Sequence, residues 1–147
     1  MPLTGEYEPS TYPDARDQVN LFEDTNGAEG NTLMGLPVVI ITTIGKSSGK
    51  LRKTPVMRVE HSGSYVAVAS MGGAPTNPSW YHNLRATPLL ELQDGPVRRD
   101  YTARELEGSE RDEWWVRAVA AFAGYADYEQ ATTRIIPVVL LEPAVTA

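Results

Sequence analysis

Residues 37–57, PVVIITTIGKSSGKLRKTPVM, contain the pattern on which the predicted fold depends. A β-branched apolar run over residues 37–45 stops at a glycine, which predicts a buried strand. A second strand is predicted at residues 51–60, where Pro55 is typical of an edge strand or a bulge. Between them, residues 45–50 consist of glycines, serines and lysines. The stretch therefore predicts two neighbouring strands joined by a tight cationic loop, which we call the basic loop.

Other parts of the chain continue in an α+β order. Further strands are predicted, from β-branched runs and the turns that bound them, at residues 64–71, 88–93, 97–104 and 134–142. The middle two form a hairpin around an Asp94–Gly95 turn. About six mostly antiparallel strands with flanking helices suggest a small closed or half-open β-barrel.

Helices are predicted from apolar spacing at residues 14–24, at 79–86, along a segment carrying Trp115, Val119 and Phe122, and near 125–132. Asn77–Pro78 marks one helix start, with a capping residue followed by a first-turn proline. Ser109 with Asp112 marks another as a capping box.

The net charge of −6 is concentrated at the N-terminus, where residues 1–30 hold seven acidic side chains and the single base Arg16. We expect residues 1–13, with three prolines, to be a poorly ordered arm. The predicted organisation is an acidic N-terminal arm with a short helix over residues 1–28 and a ligand-binding domain over residues 29–147.

Several function classes are disfavoured by composition. The chain has no cysteine and only His61 and His82, which are far apart, so we predict no metal site. A basic run is formed by Lys46, Lys50, Arg52, Lys53 and Arg58. It is short and lacks interleaved aromatic residues, so we expect no nucleic-acid partner. The longest apolar run, residues 36–41, is too short to span a membrane, and the N-terminus lacks a signal-peptide pattern. A cytoplasmic location is expected.

The basic loop resembles a nucleotide P-loop only in part. Its glycines are one residue too close, Leu51 replaces the required hydroxyl, and a strand follows where a helix is needed. An anion would be held by backbone N–H groups, serine hydroxyls and cations. Since Arg52 and Lys53 alternate along a strand, only one of them is expected to face a given pocket. The competing interpretation is a polar hairpin loop whose lysines promote solubility.

A second cluster, ASMGGAPTNPSWYHNLRATP at residues 69–88, follows a strand with a glycine pair and then starts a helix. Small residues around Ser70 would allow a flat ligand to approach the backbone closely. Trp80 could stack on such a ligand, and Asn83 could donate to its polar edge. For Trp80 alone, packing of the helix against the barrel is the competing interpretation.

Four motifs occurring in order give the sequence a specific likeness: EGNTLMGLP, TTIGKSSGKLRKTPVMRV, VASMGGAPTNPSWYHNL and YADYEQATTRIIPVVLLEP. Together they resemble the deazaflavin-dependent nitroreductase family of actinobacteria. This resemblance implies a split β-barrel that binds the deazaflavin coenzyme F420 and transfers its hydride to quinones, nitroaromatics or other electrophilic acceptors. The coenzyme carries a phosphodiester and an oligoglutamate tail, which would explain a cationic loop beside an apolar slot.

The resemblance also implies roles for individual residues. Contacts to the phosphate and tail are implied for Lys46, Ser47, Ser48 and Arg52. The resemblance implies that the following residues form the slot for the ring: Thr54, Pro55, Val56 and Met57, backbone groups of Val68, Ala69, Ser70 and Met71, and Ser79, Trp80 and Asn83. The catalytic candidates, which would donate a proton or hydrogen bond to the acceptor, are Tyr125, Tyr128 and Ser70.

This chain departs from the family pattern in its cations. Lys46 and Ser47 replace an arginine and a lysine, and Met71 replaces a further lysine. A lysine cannot make the bidentate contact of an arginine, so the departure bears on tail affinity. An FMN-binding split-barrel oxidoreductase and a non-enzymatic deazaflavin storage protein remain alternatives. The expected partner is a small-molecule electron acceptor, and a lipid quinone would bring the protein to the membrane surface.

Overall fold

The computed structural model describes residues 3–144, in which eight strands form one curled antiparallel sheet. The strands are β1 (Thr32–Leu33), β2 (Leu36–Ile44), β3 (Leu51–Met57), β4 (Glu60–His61), β5 (Ser64–Val68), β6 (Leu89–Asp94), β7 (Val97–Glu105) and β8 (Val138–Pro143). The helices are α1 (Pro13–Asp24), α2 (Ser79–Ala86), α3 (Gly108–Ala121) and α4 (Gly124–Ala131), with a 3-10 turn at Met71–Gly73. The predicted α+β class is confirmed, since the six longer strands correspond to the six expected.

The strand order is β1-β2-β6-β7-β8-β5-β4, and β3 pairs with β2 beside this path. In the β2–β3 hairpin the register runs from Val38 opposite Met57 to Ile44 opposite Leu51, so the pairing stops where the basic loop begins. The predicted hairpin at Asp94–Gly95 also forms, with Asp94 opposite Val97. The β2–β3 hairpin therefore places the basic loop at one end of these two strands.

Both faces of the sheet are buried, which explains the unbroken apolar runs in its strands. On β2, Val38 and Ile40 belong to one core cluster, whereas Val39 and Ile41 belong to another. Side chains of α1, α3 and α4 pack into the first cluster, and those of α2 pack into the second. Because successive strand residues point to opposite faces, a strand covered on both sides needs apolar residues at every position.

The N-terminal segment, residues 3–12, lies along β3. The Glu8 N–H donates to the Leu51 carbonyl at 2.9 Å, and the Leu51 N–H donates to the Glu6 carbonyl at 2.7 Å. Helix α1 follows it and buries Val19 and Phe22 in the first core cluster. The expectation of a poorly ordered arm is wrong at residues 6–8, whose backbone pairs with β3, and at Pro13, which begins α1. Residues 1–2 of that predicted arm lie outside the described residues, as do residues 145–147 of the predicted domain.

Two predicted helix caps are wrong. Helix α2 begins after Pro78 without a side-chain cap, because the Asn77 amide oxygen accepts a hydrogen bond from Arg134 instead. Helix α3 begins at Gly108 with Glu107 at the N-cap position, and no side chain caps it. It buries Trp114 and Ala118, so the predicted stripe beginning at Trp115 lies at the margin of the core.

Three strands are shorter than predicted. Strand β3 was predicted over residues 51–60 and ends at Met57. Strand β5 ends at Val68 because the chain turns at Met71, whose φ is 47°. Strand β8 begins at Val138 because the preceding residue is Pro137, which has no N–H for the ladder. Within residues 3–144, no helix combines the length and the apolar character that crossing a bilayer requires.

Candidate active site

A cleft of about 670 Å³ opens where the basic loop, β3, the start of α2 and the N-terminal segment meet. Nine of the predicted cofactor-binding residues line it: Lys46, Ser47, Ser48, Arg52, Thr54, Met71, Ser79, Trp80 and Asn83. The structure thus brings together two clusters that lie about 30 residues apart in sequence. Glu8, Ser10, Tyr12 and Ala15 add a wall that the sequence did not predict.

The basic loop is shaped by its own backbone. The Gly45 N–H donates to the Lys50 carbonyl at 2.8 Å, and the Gly49 N–H donates back to the Gly45 carbonyl at 2.9 Å. A Cβ atom at Gly45 would lie 2.7 Å from the Ser48 hydroxyl oxygen and 3.1 Å from the Lys50 carbonyl oxygen, and Gly49 has a φ of 71°, so the tight turn favours glycine at both positions. The side chains of Lys46, Ser47 and Ser48 are left exposed at the cleft.

Asn83 joins helix α2 to the basic loop. Its amide oxygen accepts a hydrogen bond from the Lys46 N–H at 2.9 Å, and its amide nitrogen donates to the Thr43 hydroxyl at 3.1 Å. Asn83 is buried, so these bonds are shielded from water. The side chain therefore fixes the loop against the helix that carries Trp80.

The cations of the cleft differ in their partners. Arg52 forms an ion pair with Glu8, and Lys53 forms one with Glu23. The side chain of Lys46 has no ion-pair partner among the described residues. Both Arg52 and Lys53 line the cleft, so the expectation that only one of them would face it is wrong. Strand β3 pairs with no described strand other than β2, and on its other side the N-terminal segment hydrogen-bonds to Leu51.

The apolar part of the cleft is formed by Trp80, Met71 and Pro78. Trp80 is only 6% exposed and belongs to the second core cluster, so its side chain both packs in the core and lines the cleft. Met71 is half exposed. The cleft therefore has a cationic, hydroxyl-rich end at the basic loop and an apolar end at the start of α2.

The rest of the predicted ring slot lies outside the cleft lining. Pro55 and Val56 are half-buried on β3, and Met57 is buried in the first core cluster. Val68, Ala69 and Ser70 are also buried. The structure thus divides the residues of the expected ring slot into two groups, those that line the cleft and those that are buried or half-buried outside its lining.

Arg134 is a residue that the sequence reasoning missed. Its guanidinium donates to the carbonyls of Ala69, Ser70 and Ala74 at 3.0, 2.8 and 2.8 Å. It also donates to the Asn77 amide oxygen at 2.7 Å. These bonds hold residues 69–77, which we call the arginine-held loop.

The arginine-held loop contains three consecutive residues in the left-handed region. Met71, Gly72 and Gly73 have φ values of 47°, 64° and 82°. For methionine this conformation is unfavourable, so surrounding contacts must maintain it. The only sequence signal for Arg134 was an arginine just before a buried strand, which gives no indication of a partner about 60 residues away.

The tyrosines of α4 lie behind the arginine-held loop, outside the cleft lining. Tyr125 is 5% exposed, and its ring packs 4.9 Å from that of Phe122 and 6.5 Å from that of Tyr128, measured between centroids. Burial raises the pKa of the Tyr125 hydroxyl above its usual value. The expectation that α4 forms a rim is wrong at Tyr125, which belongs to the core. The catalytic role of both tyrosines stays a prediction.

Helix α4 packs closely on the arginine-held loop. A Cβ atom at Gly73 would lie 3.1 Å from the Ala131 Cβ and 3.3 Å from the Tyr128 carbonyl oxygen. Glycine at this position therefore allows the helix to approach the loop that carries Met71.

His82 is a further cleft residue that the sequence reasoning missed. It is exposed, and its ring lies edge-on to Tyr81 with centroids 5.5 Å apart. Among residues 3–144, no three histidine, aspartate or glutamate side chains come together as a metal site.

Fold and site together define a class of protein. A curled antiparallel half-barrel, with a cleft that is cationic at one end and aromatic at the other, suits a flat coenzyme with an anionic tail. Such coenzymes carry out redox chemistry for which the protein supplies position and electrostatics.

Comparison with known proteins identifies the family. The F420H(2)-dependent quinone reductase family matches residues 14–143, and the chain belongs to it. A Mycobacterium tuberculosis protein named F420H(2)-dependent quinone reductase is 34% identical over 125 residues, covering 82% of this chain and 84% of that relative. The resemblance stated from the sequence is confirmed, and the chain is an oxidoreductase whose cofactor is the deazaflavin coenzyme.

Solved structures agree with this assignment. One described as an F420-H2 dependent reductase (FDR-A) superposes with a TM-score of 0.69 and is 52% identical, covering 72% of this chain and 94% of that chain. Another, described as a domain-swapped dimer, has a TM-score of 0.72 and 46% identity, covering 86% of this chain and 96% of that chain. The predicted split-barrel fold is confirmed.

Proposed function

We propose that this chain transfers a hydride from the reduced deazaflavin coenzyme to a quinone, with nitroaromatics and other electrophilic acceptors as further substrates. One observation carries the proposal: a single cleft joins the basic loop to a wall containing Trp80 and Met71. The coenzyme has the same two parts, a flat ring and a phosphodiester with a glutamate tail. Membership of the quinone reductase family supports the choice of acceptor.

The donor set of the cleft fits the coenzyme's anionic part. Lys46, Ser47 and Ser48 are exposed on the basic loop, and Arg52 lies at the same end of the cleft. Ammonium, hydroxyl and guanidinium groups are the donors that phosphate and carboxylate oxygens accept from most strongly. We assign these four residues to the phosphodiester and the first glutamates.

The apolar end fits the ring. Thr54, Met71, Ser79 and Trp80 line this part of the cleft, and we assign them to the ring slot. The buried residues Pro55, Val56, Met57, Val68 and Ala69 would support the slot from behind. Asn83 would act there by positioning the basic loop and Trp80 relative to each other.

When bound, the coenzyme supplies the hydride from its own ring carbon. The residues of the chain would orient the ring, exclude water from one side of it and leave the other side open to the acceptor. A quinone that accepts a hydride also takes up a proton at its oxygen to become a hydroquinone. The candidates to donate that proton or a hydrogen bond are Ser70, Tyr125 and Tyr128.

The Tyr125 hydroxyl is protonated at neutral pH, as in any ordinary tyrosine, and burial raises its pKa further. Tyr125 would therefore act as a hydrogen-bond donor to the acceptor and not as a group that titrates during turnover. Tyr128 is less buried and would lie closer to solvent.

The test is a binding titration followed by turnover. Purified protein is titrated with the deazaflavin coenzyme and, in parallel, with FMN, using the change in fluorescence. Oxidation of the reduced coenzyme is then followed by absorbance with menadione as acceptor. We expect tighter binding of the deazaflavin and menadione-dependent oxidation. Preferential binding of FMN would overturn the cofactor assignment, and deazaflavin binding without turnover would indicate storage.

We propose a cytoplasmic location, with peripheral association at the membrane if the physiological acceptor is a lipid quinone. The partner is then the small-molecule acceptor itself. The exposed side chain of Met71 beside the cleft is compatible with an apolar acceptor.

A further inference from the structure

The N-terminal segment brings a carboxylate to the cationic end of the cleft. Glu8 lines the cleft together with Ser10 and Tyr12. The backbone bonds between residues 6–8 and Leu51 fix this part of the chain beside β3. The position of the Glu8 carboxylate is thus set by strand-like pairing and not by the ion pair alone.

Glu8 accepts a hydrogen bond from the Arg52 guanidinium. The Arg52 side chain is 30% exposed and that of Glu8 is 41% exposed, so both remain accessible from the cleft. The pair of Lys53 and Glu23 differs, because those side chains are only 15% and 17% exposed. Arg52 is therefore the cleft cation whose existing partner an incoming anion could displace.

We propose that Glu8 is a specificity-determining residue: it competes with the coenzyme's anionic tail for Arg52 and limits the gain in affinity from additional tail glutamates. This inference rests on the proposed function, since it assumes that Arg52 meets the tail. The carboxylate occupies the guanidinium in the way that a tail carboxylate or phosphate oxygen would. A tailed coenzyme must displace Glu8 or share Arg52 with it, whereas a coenzyme without a tail need do neither.

The charge balance near the cleft supports this competition. Lys46, Arg52 and Lys53 supply three positive charges to the cleft lining, and Glu8 supplies the one negative charge among the described lining residues, which leaves a net charge of two. Removing the Glu8 charge would raise that net charge to three. Because Glu8 is half exposed, its effect should be screened by salt, with a Debye length of about 10 Å at 0.1 M ionic strength.

The chain offers a matched control in Glu6. It lies on the same segment and forms an ion pair with Lys50 at 3.8 Å, but neither residue lines the cleft. Glu6→Gln removes the same charge as Glu8→Gln at a nearby position. A general change in net charge or in the N-terminal segment would affect both variants alike.

The experiment measures dissociation constants of wild type, Glu8→Gln and Glu6→Gln by fluorescence titration. The ligands are the deazaflavin coenzyme with short and long glutamate tails and its riboflavin-level form, which lacks phosphate and tail. We expect Glu8→Gln to bind the tailed coenzymes roughly two- to fivefold more tightly, the range of a half-exposed ion pair. The gain should be larger for the longer tail and smaller in 0.5 M salt. Binding of the tail-less form by Glu8→Gln, and of every ligand by Glu6→Gln, should stay at the wild-type value.

Other results would overturn either this inference or the proposed function, and the two cases can be told apart. Weaker or unchanged binding of tailed coenzymes by Glu8→Gln would overturn the inference while leaving the proposed function intact. An equal gain for tailed and tail-less forms would also overturn it, because the residue would then act on the ring or the fold. If the wild type binds no form of the deazaflavin, the proposed function itself fails. Thermal unfolding of each variant checks that the fold is retained.

Discussion

Arg134 offers the sharpest test of how the site is held in place. Replacing it with glutamine removes four hydrogen bonds to the arginine-held loop. Each hydrogen bond to a charged group is worth about 1.5–3 kcal/mol, but water can replace part of them at a half-buried position. We therefore expect the free energy of unfolding to fall by about 2–4 kcal/mol, less than the four bonds would sum to.

The functional consequence follows from what the loop carries. Met71 lines the cleft from the start of this loop, in a left-handed conformation that Arg134 helps to maintain. Loosening the loop should weaken coenzyme binding by about 1 kcal/mol, or roughly fivefold in the dissociation constant. Because Met71 lies at the end of the cleft to which we assign the ring, the loss should be the same for tailed and tail-less coenzyme.

Urea unfolding and fluorescence titration measure the two effects. Arg111→Gln is the control, because Arg111 donates a single hydrogen bond, to the Ile136 carbonyl at 2.8 Å, and does not line the cleft. That variant should lose about 1 kcal/mol of stability and keep its coenzyme affinity. Arg134→Lys should be intermediate, since an ammonium group cannot reach all four acceptors. The reasoning is refuted if Arg134→Gln and Arg111→Gln lose equal stability and both bind the coenzyme like the wild type.

Further predictions concern the cleft and the tyrosines. Arg52→Ala should weaken binding of the tailed coenzyme by about 1.5 kcal/mol and hardly affect the tail-less form. Lys50→Ala is the control outside the cleft. Equal losses for both forms of the coenzyme would indicate an effect through the fold. Tyr125→Phe should lower the rate of menadione reduction while the coenzyme dissociation constant stays constant, and Tyr128→Phe should have a smaller effect; wild-type rates in both would exclude the hydroxyls from catalysis. The free energy of unfolding should decrease as pH rises above about 10. Tyrosines of the unfolded chain ionise there, whereas burial raises the pKa of Tyr125 in the folded protein. Unfolding curves measured at alkaline pH should show a shallower decrease for Tyr125→Phe.

Much of the fold was predictable because local chemistry determines it. The apolar run of β2, the glycines of the basic loop and the Asp94–Gly95 turn each specify their own backbone conformation. The strand ends were harder to predict. Strand β5 stops where Met71 adopts a positive φ, and β8 starts only after Pro137. The first boundary depends on the contacts of Arg134 with Ala69 and Ser70, which the β5 segment alone does not reveal, whereas Pro137 marks the second boundary within its own segment.

The contents of the cleft were predictable mainly through the family resemblance. Residue chemistry singled out the basic loop and the Trp80 region, and the resemblance assigned both to one coenzyme; the fold brings them together. The resemblance did not include the N-terminal segment, whose acidic composition and prolines suggested disorder. That segment is ordered by partners far along the chain, since Glu8 and Arg52 are 44 residues apart. Pairings at such separations depend on the tertiary fold and leave no local pattern in the sequence.

The bonds of Asn83 have a consequence for ligand dimensions. Trp80 and Asn83 lie three residues apart on α2, a rise of about 4.5 Å along the helix axis. Trp80 is part of the apolar wall, and Asn83 fixes the backbone of Lys46. The helix therefore acts as a rigid spacer between Trp80 and the basic loop. If the ring and the first phosphate bind at these two places as proposed, this spacing would set the distance between them. Selectivity among flavin-like molecules would then depend on the length of the linker between ring and phosphate as well as on the chemistry of either end.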